Sequence, residues 1–351
     1  MGSGNWDAGT YTAATEARKA TGTPAFAYTD YSAHRPRDTW KAHEDLDPAK
    51  LNAAGKNVRE ALDSDEHPNA TPIAVLFDVT GSMGRIPQVL QQKLPQLHGL
   101  LQRKGYVEDP QILFGGIGDA SCDRVPLQVG QFESDNRMDE TLDNILLEGG
   151  GGGGNHESYQ LAMYYMATHT DLDSVTKRGK RGYLFIIGDE RVYDKVDRRQ
   201  VEKVIGDKLP ENISTSEIVR QLQEKFEVFF LFAAQGSYEP ADVLDPALPG
   251  GRYGDSRSGV CYWRDLLGQN ALMLEEADAV CETIAMTLGL MEGVIDHDAG
   301  LADLRDVGAD LTAVRAAGKA LAQLGGNSSV ATATGNLPER PADDQSETTR
   351  L

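Results

Sequence analysis

Five apolar residues in a row, Ile73-Ala74-Val75-Leu76-Phe77, end abruptly on a carboxylate, Asp78. An uninterrupted apolar run of strand length offers no polar face to water, so it marks a strand buried on both sides. Two similar runs come later, Tyr183 to Ile187 and Val228 to Ala233, with helix-like segments between them. Buried strands joined through helices constrain the chain to an α/β architecture, a mostly parallel sheet with helices on both faces.

The remaining elements are placed around these runs. Residues 72–78 are the first strand, and Ile86 to Arg103 reads as a helix with a kink point at Pro95. Gln111 to Ile117 and Val125 to Phe132 read as strands joined by a loop so short that they must pair antiparallel. Helices are expected at Met138 to Leu147, Ser158 to Thr168, Ser214 to about Lys225, Tyr262 to Leu267 and Glu276 to Leu290, and a last strand at Ala271 to Leu274. Residues 1 to about 45 show no sustained periodicity and read as a polar arm with aromatic anchors at Tyr11, Phe26, Tyr28, Tyr31 and Trp40. Asp47-Pro48 is an N-cap and N1 pair, predicting a helix to about Leu62. Leu301 to Leu324 reads as one helix, its apolar stripe being Leu304, Val307, Leu311, Val314 and Leu321 with Gly318 in the vacant place. The expected organisation is an arm and helix over 1–69, the α/β domain over 70–292, a helical extension over 293–324 and a disordered tail over 325–351.

The turn after the first strand carries chemistry. Asp78-Val79-Thr80-Gly81-Ser82 places a carboxylate and two hydroxyls at alternate positions, at a strand's C-terminal end. Hard cations such as Mg²⁺, Mn²⁺ or Ca²⁺ take such oxygens, and ligands of open α/β sheets gather at that edge. The same residues would also serve a simple turn that caps the next helix.

Asp78-x-Thr80-x-Ser82 resembles the first loop of the metal-ion-dependent adhesion site of von Willebrand factor A domains, with Thr for the first Ser. Asp189, which closes the run Tyr183 to Ile187 within Gly188-Asp189-Glu190, resembles that site's last ligand, and the succession of elements over 70–292 is similar to the family's. The resemblance implies a Rossmann-like fold, with Asp78, Thr80, Ser82 and Asp189 on the ion. Where the family has Gly-Gly-Thr-Asn, this chain has Gly153-Gly154-Asn155-His156-Glu157-Ser158. Water, Asn155, Glu157 or Ser158 would then stand in for the missing Thr. Asp119, with Asp123, lies in the hairpin at the same edge as a candidate rim carboxylate. The implied function is a non-enzymatic adaptor whose protein partner completes the cation's shell with a carboxylate. Bacterial or phage intracellular relatives work in assemblies, some of them with AAA+ ATPases.

Two other readings stay open. The stretch from Asp78 to Ser82 is also similar to the Asp-Lys-Thr-Gly-Thr loop of the haloacid dehalogenase superfamily, which would make Asp78 a phosphoryl nucleophile. Thr80 stands where soluble phosphatases of that superfamily carry a second Asp, and the hairpin is foreign to them. Alternatively the chain is an assembly subunit with an inactive metal site, joined to copies of itself through the arm or the last helix.

Composition narrows the partners. Of 351 residues, 54 are Asp or Glu and 34 Lys or Arg, a formal charge of −20 that repels nucleic acid and anionic membrane. Cys122, Cys261 and Cys281 have no metal-ligand spacing, and so sparse a set suits a reducing cytoplasm. No apolar signal segment opens the sequence, and no apolar run is long enough to span a bilayer. The glycines from 149 to 154 lack the Lys-Ser/Thr ending of a phosphate loop and are expected instead to let backbone pass close to the Asp78 turn.

Overall fold

The computed structural model describes residues 4–150, 156–234 and 259–325. The chain opens with helices α1 (Ala8–Thr21), α2 (Ala27–Ala33) and α3 (Pro48–Ala53). Then come β1 (Thr71–Asp78), α4 (Ile86–His98), β2 (Pro110–Ile117), β3 (Leu127–Val129), α5 (Arg137–Asn144), α6 (Tyr159–Thr168) and β4 (Gly182–Gly188). Next in the chain are α7 (Arg198–Val204), α8 (Thr215–Leu222), β5 (Phe226–Ala233), α9 (Gly259–Leu267), β6 (Ala271–Leu274), α10 (Val280–Met291), α11 (His297–Asp306) and α12 (Leu311–Gly325).

The six strands form one sheet in the order β6-β5-β4-β1-β2-β3. All neighbours are parallel except β2 and β3, which pair antiparallel from Gly115↔Val129 to Ile117↔Leu127. The fold is thus α/β with one antiparallel edge strand, as the alternation of buried runs dictates.

Because side chains alternate across a strand, each run feeds two cores. Ile73, Val75 and Phe77 of β1, with Phe185 and Ile187 of β4, pack under α4, α10 and α12. Ala74, Leu76, Leu184 and Ile186 point the other way, against α6, α7, α8 and α9.

Several boundaries differ from the sequence reading. The Asp47 cap forms, accepting from Ala49 N at 3.1 Å, but its helix stops at Ala53. The chain then turns extended over Arg59–Ala61, because that segment pairs in parallel with Thr170–Leu172. The helix expected from 138 to 147 ends at Asn144, and α4 gives way at Gly99–Arg103 to a wider π turn. The stretch 301–324 is two helices: Gly308 adopts φ 79° between them, and Asp310 accepts from Thr312 N at 2.8 Å to restart the backbone. Leu304, Val314 and Leu321 are buried, whereas Leu311 is exposed at the restart. Asp296 caps α11 by accepting from Ala299 N at 2.8 Å.

The N-terminal segment is helical, and its anchors enter the core. Trp6, Tyr11, Phe26 and Leu46 are buried in the same cluster as α4, α5 and α10. Trp6 stacks on His98 at 4.8 Å and donates to Asp139 Oδ1 at 3.2 Å. The Tyr11 hydroxyl donates to the Gln91 carbonyl at 2.5 Å. That carbonyl lacks its helical donor because the residue four positions on is Pro95, so the arm satisfies a group that the helix cannot. Tyr31 by contrast is exposed. The expected tail, 325–351, lies outside the described residues apart from Gly325.

Candidate metal centre

β1 and β4 are neighbours, with Phe77 abreast of Ile187. That register brings the last residue of β1, Asp78, beside Gly188 and places Asp189 one step beyond, both at the C-terminal edge of the sheet. The two loops that the sequence separates by more than a hundred residues therefore meet.

Hydrogen bonds link them. Thr80 N–H donates to Asp78 Oδ1 at 2.7 Å, the Thr80 and Ser82 hydroxyls lie 3.0 Å apart, and Ser82 donates to Asp189 Oδ1 at 3.0 Å. Asp78, Thr80 and Asp189 are buried, while Ser82 is half-buried. Asp189 Oδ2 is buried without a hydrogen-bond donor. Burial, and then the Asp189 carboxylate beside it, push Asp78 up to about 7. Burial pushes Asp189 up to about 6. Two shielded carboxyls at adjacent strand ends resist shared ionisation unless a cation lies between them.

The first two glycines of the run pass close to the Asp78 turn, and Gly151 to Gly154 lie outside the described residues. Gly149 and Gly150 both have positive φ, Gly149 N donates to Val79 O at 3.1 Å, and Gly81 N donates to Gly150 O at 2.9 Å. A Cβ on Gly81 would sit 3.2 Å from that carbonyl. Asn155 lies outside the described residues.

Glu157 is buried, and its Oε2 has no donor. It sits in a short parallel ladder, His156–Glu157 against Arg191–Val192, close behind Asp189. Burial pushes its carboxyl up to about 10, with Asp78 the strongest of the negative neighbours, then Asp119, Asp123 and Glu190. Asp119 and Ser158 are occupied with each other: Ser158 donates to Asp119 Oδ1 at 3.3 Å and accepts from Ala120 N at 2.9 Å. Asp119 also accepts from Ser121 and from the Tyr193 hydroxyl at 2.9 Å, so it forms a satisfied cluster beside the centre. His156 stacks on Tyr193 at 5.2 Å.

Tyr159 escaped the sequence reading. Its buried hydroxyl donates to Asp78 Oδ2 at 3.1 Å and fixes that carboxylate from beneath. Gly188 permits this approach, since a Cβ there would lie 2.0 Å from the hydroxyl oxygen.

Among the described residues no three His, Cys, Asp or Glu side chains converge as a ready metal cage. The centre instead offers two carboxylates and two hydroxyls, a donor set that suits an ion keeping part of its water. The unsatisfied Asp189 oxygen is where such an ion fits.

No family model and no curated protein matches the chain. Similar solved structures include the pilus adhesin SpaC from Lactobacillus rhamnosus GG in its open conformation, at 9 % identity and TM-score 0.41, covering 67 % of this chain and 31 % of that one. The chain thus spans about a third of the adhesin's length. Also similar are an aerotolerance-related membrane protein from Bacteroides fragilis (11 %, TM-score 0.36, 62 % and 98 % covered) and BatB from Bacteroides thetaiotaomicron (10 %, 0.35, 62 % and 96 %). No helix among the described residues is long and apolar enough to cross a membrane.

Proposed function

We propose that the chain is a non-enzymatic protein-interaction module of von Willebrand factor A type, in which Asp78, Thr80, Ser82 and Asp189 hold a hard divalent cation, Mg²⁺ in the first place. The observation that carries this reading is the bridge from Ser82 to Asp189 at 3.0 Å, beside a buried Asp189 oxygen that no donor reaches. A bound cation would supply a Lewis-acidic position at the sheet edge to which an oxygen atom of a partner coordinates. The chain's own residues do the rest: Asp189 and Asp78 provide charge, Thr80 and Ser82 provide neutral oxygens, and Tyr159 keeps Asp78 from turning away. A partner from an intracellular assembly, an AAA+ ATPase among them, belongs to the same proposal. The three cysteines, all free, suit a reducing cytoplasm.

The phosphatase reading has less support. An attacking carboxylate must be ionised and reachable, whereas Asp78 is wholly buried and both its oxygens accept hydrogen bonds.

Thermal unfolding tests the cation. Mg²⁺ or Mn²⁺ at about a hundredfold excess over its dissociation constant should stabilise the fold by about 2.7 kcal/mol. Asp78→Ala and Asp189→Ala should each abolish that rise in Tm. An undiminished rise in both variants removes these residues as ligands.

A further inference from the structure

Residues 145–150 lead from the end of α5 to the Asp78 turn, and side chains from other parts of the chain hold them in place. Thr29 of α2 donates through its hydroxyl to Ile145 O at 3.0 Å and accepts from Leu147 N at 2.9 Å. Gln128 of β3, fully buried, donates to Leu146 O at 2.9 Å and accepts from Leu146 N at 2.8 Å. Glu148 is buried as well, accepting from Arg124 N at 3.0 Å, Val125 N at 2.9 Å and Arg37 Nη2 at 3.1 Å. The Arg37 guanidinium also lies against the glycines: a Cβ on Gly150 would stand 3.3 Å from Nη1. Gly149 N and Gly150 O are in turn the groups bonded to Val79 and Gly81. An unbroken series of contacts thus runs from α2 and Arg37, through this strap, to the backbone between Thr80 and Ser82.

We propose that the N-terminal segment is a working part of the cation site. Thr29 and Arg37 act as positioning residues that brace the strap, whose glycines hold the Asp78–Ser82 turn in its ligating shape. Seating of the segment and binding of the cation then reinforce each other. This rests on the proposed cation site. The physical basis is preorganisation. The strap belongs to no helix or strand, so these side chains supply the partners that secondary structure would otherwise give its backbone. Gly81 stands between the two hydroxyl donors, and its bond to Gly150 O fixes their spacing before an ion arrives. A turn ordered in advance loses less conformational freedom on binding. Charge alone gives Arg37 the opposite sign of effect. A guanidinium near a cation site repels the ion, so its removal tightens binding if charge is all it brings, and loosens binding if it braces the turn.

The test uses the full chain, with Mn²⁺ binding read from the electron paramagnetic resonance signal of the free ion and amide hydrogen exchange followed in parallel. Arg37 is half-exposed, so its replacement leaves the core intact. Arg37→Ala should bind Mn²⁺ about threefold to tenfold more weakly. In the metal-free variant the Gly81 amide should exchange faster, while the amides of β4 keep their wild-type rates. Thr29→Val changes no charge, should weaken Mn²⁺ in the same direction, and carries the comparison if Arg37→Ala does not fold. Because coupling is reciprocal, Mg²⁺ should slow exchange at Leu147 and Gly149 in the wild type. Mn²⁺ affinity unchanged or tightened in Arg37→Ala, or a Gly81 amide that exchanges at the wild-type rate, overturns the bracing role while leaving the cation site standing. Absence of Mn²⁺ binding to the wild type overturns both.

Discussion

At Gly188 an added methyl would collide with the Tyr159 hydroxyl at 2.0 Å, and behind that contact sits the bond to Asp78. Gly188→Ala should therefore cost about 1–3 kcal/mol in urea unfolding, the usual penalty for overfilling a packed site. It should also shrink the Mg²⁺-induced rise in Tm, whereas a variant as stable and as cation-responsive as wild type would show that the close approach is unimportant. The cation response should in addition depend on pH. Burial holds Asp78 at about 7 and Asp189 at about 6, so protons occupy the centre below that window and compete with the metal. The rise in Tm should grow as pH climbs through about 6 to 7 and then level off; a response largest at acid pH would contradict it. Asp78 and Asp189 were legible because each follows a recognisable buried run, and Thr80 and Ser82 because they follow Asp78 at alternate positions. Tyr159 was not, since its partnership depends on the register of two strands and on a glycine in one of them. No spacing rule in a single sequence expresses such a contact.

Among the elements, the sheet was readable and the N-terminal helices were not, for a physical reason. β1, β4 and β5 are buried on both faces along the uninterrupted apolar runs Ile73 to Phe77, Tyr183 to Ile187 and Val228 to Ala233. Helix α1 buries only Tyr11 and shows almost no apolar stripe. Its surviving signals were its ends: Asp7 accepts from Thr10 N at 2.7 Å, and Gly22 closes the helix at φ 69°. The seam between this segment and α4 carries a pH dependence. His98, stacked on Trp6 and with Nδ1 unpartnered, is pushed by burial down to about 4 from 6.5. The neutral ring is the one the fold accepts, so stability is intact above 6.5 and declines as pH falls towards 4. The full loss amounts to about 3 kcal/mol. His98→Phe keeps an aromatic ring against Trp6 and should unfold in urea with a smaller drop between pH 7 and pH 4.5. An equal drop in both proteins would assign the acid sensitivity elsewhere.

For the whole molecule, one core draws on both ends of the described chain. Trp6, Tyr11 and Phe26 share it with Leu304, Val314, Ala317 and Leu321. Lys93 ties the same region together through Glu282 at 2.6 Å. A chain ending at residue 296 would uncover α10, which is buried from Val280 to Leu290. Such a truncation should lose cooperative unfolding and aggregate in size-exclusion chromatography with light scattering. A well-folded monomer from the shortened chain would instead make α11 and α12 an oligomerisation device. The shared core also has a consequence for biosynthesis. As the polypeptide leaves the ribosome, Trp6 has no complete seat until Asp139, 133 residues further on, has emerged. The N-terminal helices therefore stay unsatisfied until α4 and α5 have been made, and because these contacts are distant in sequence they form late.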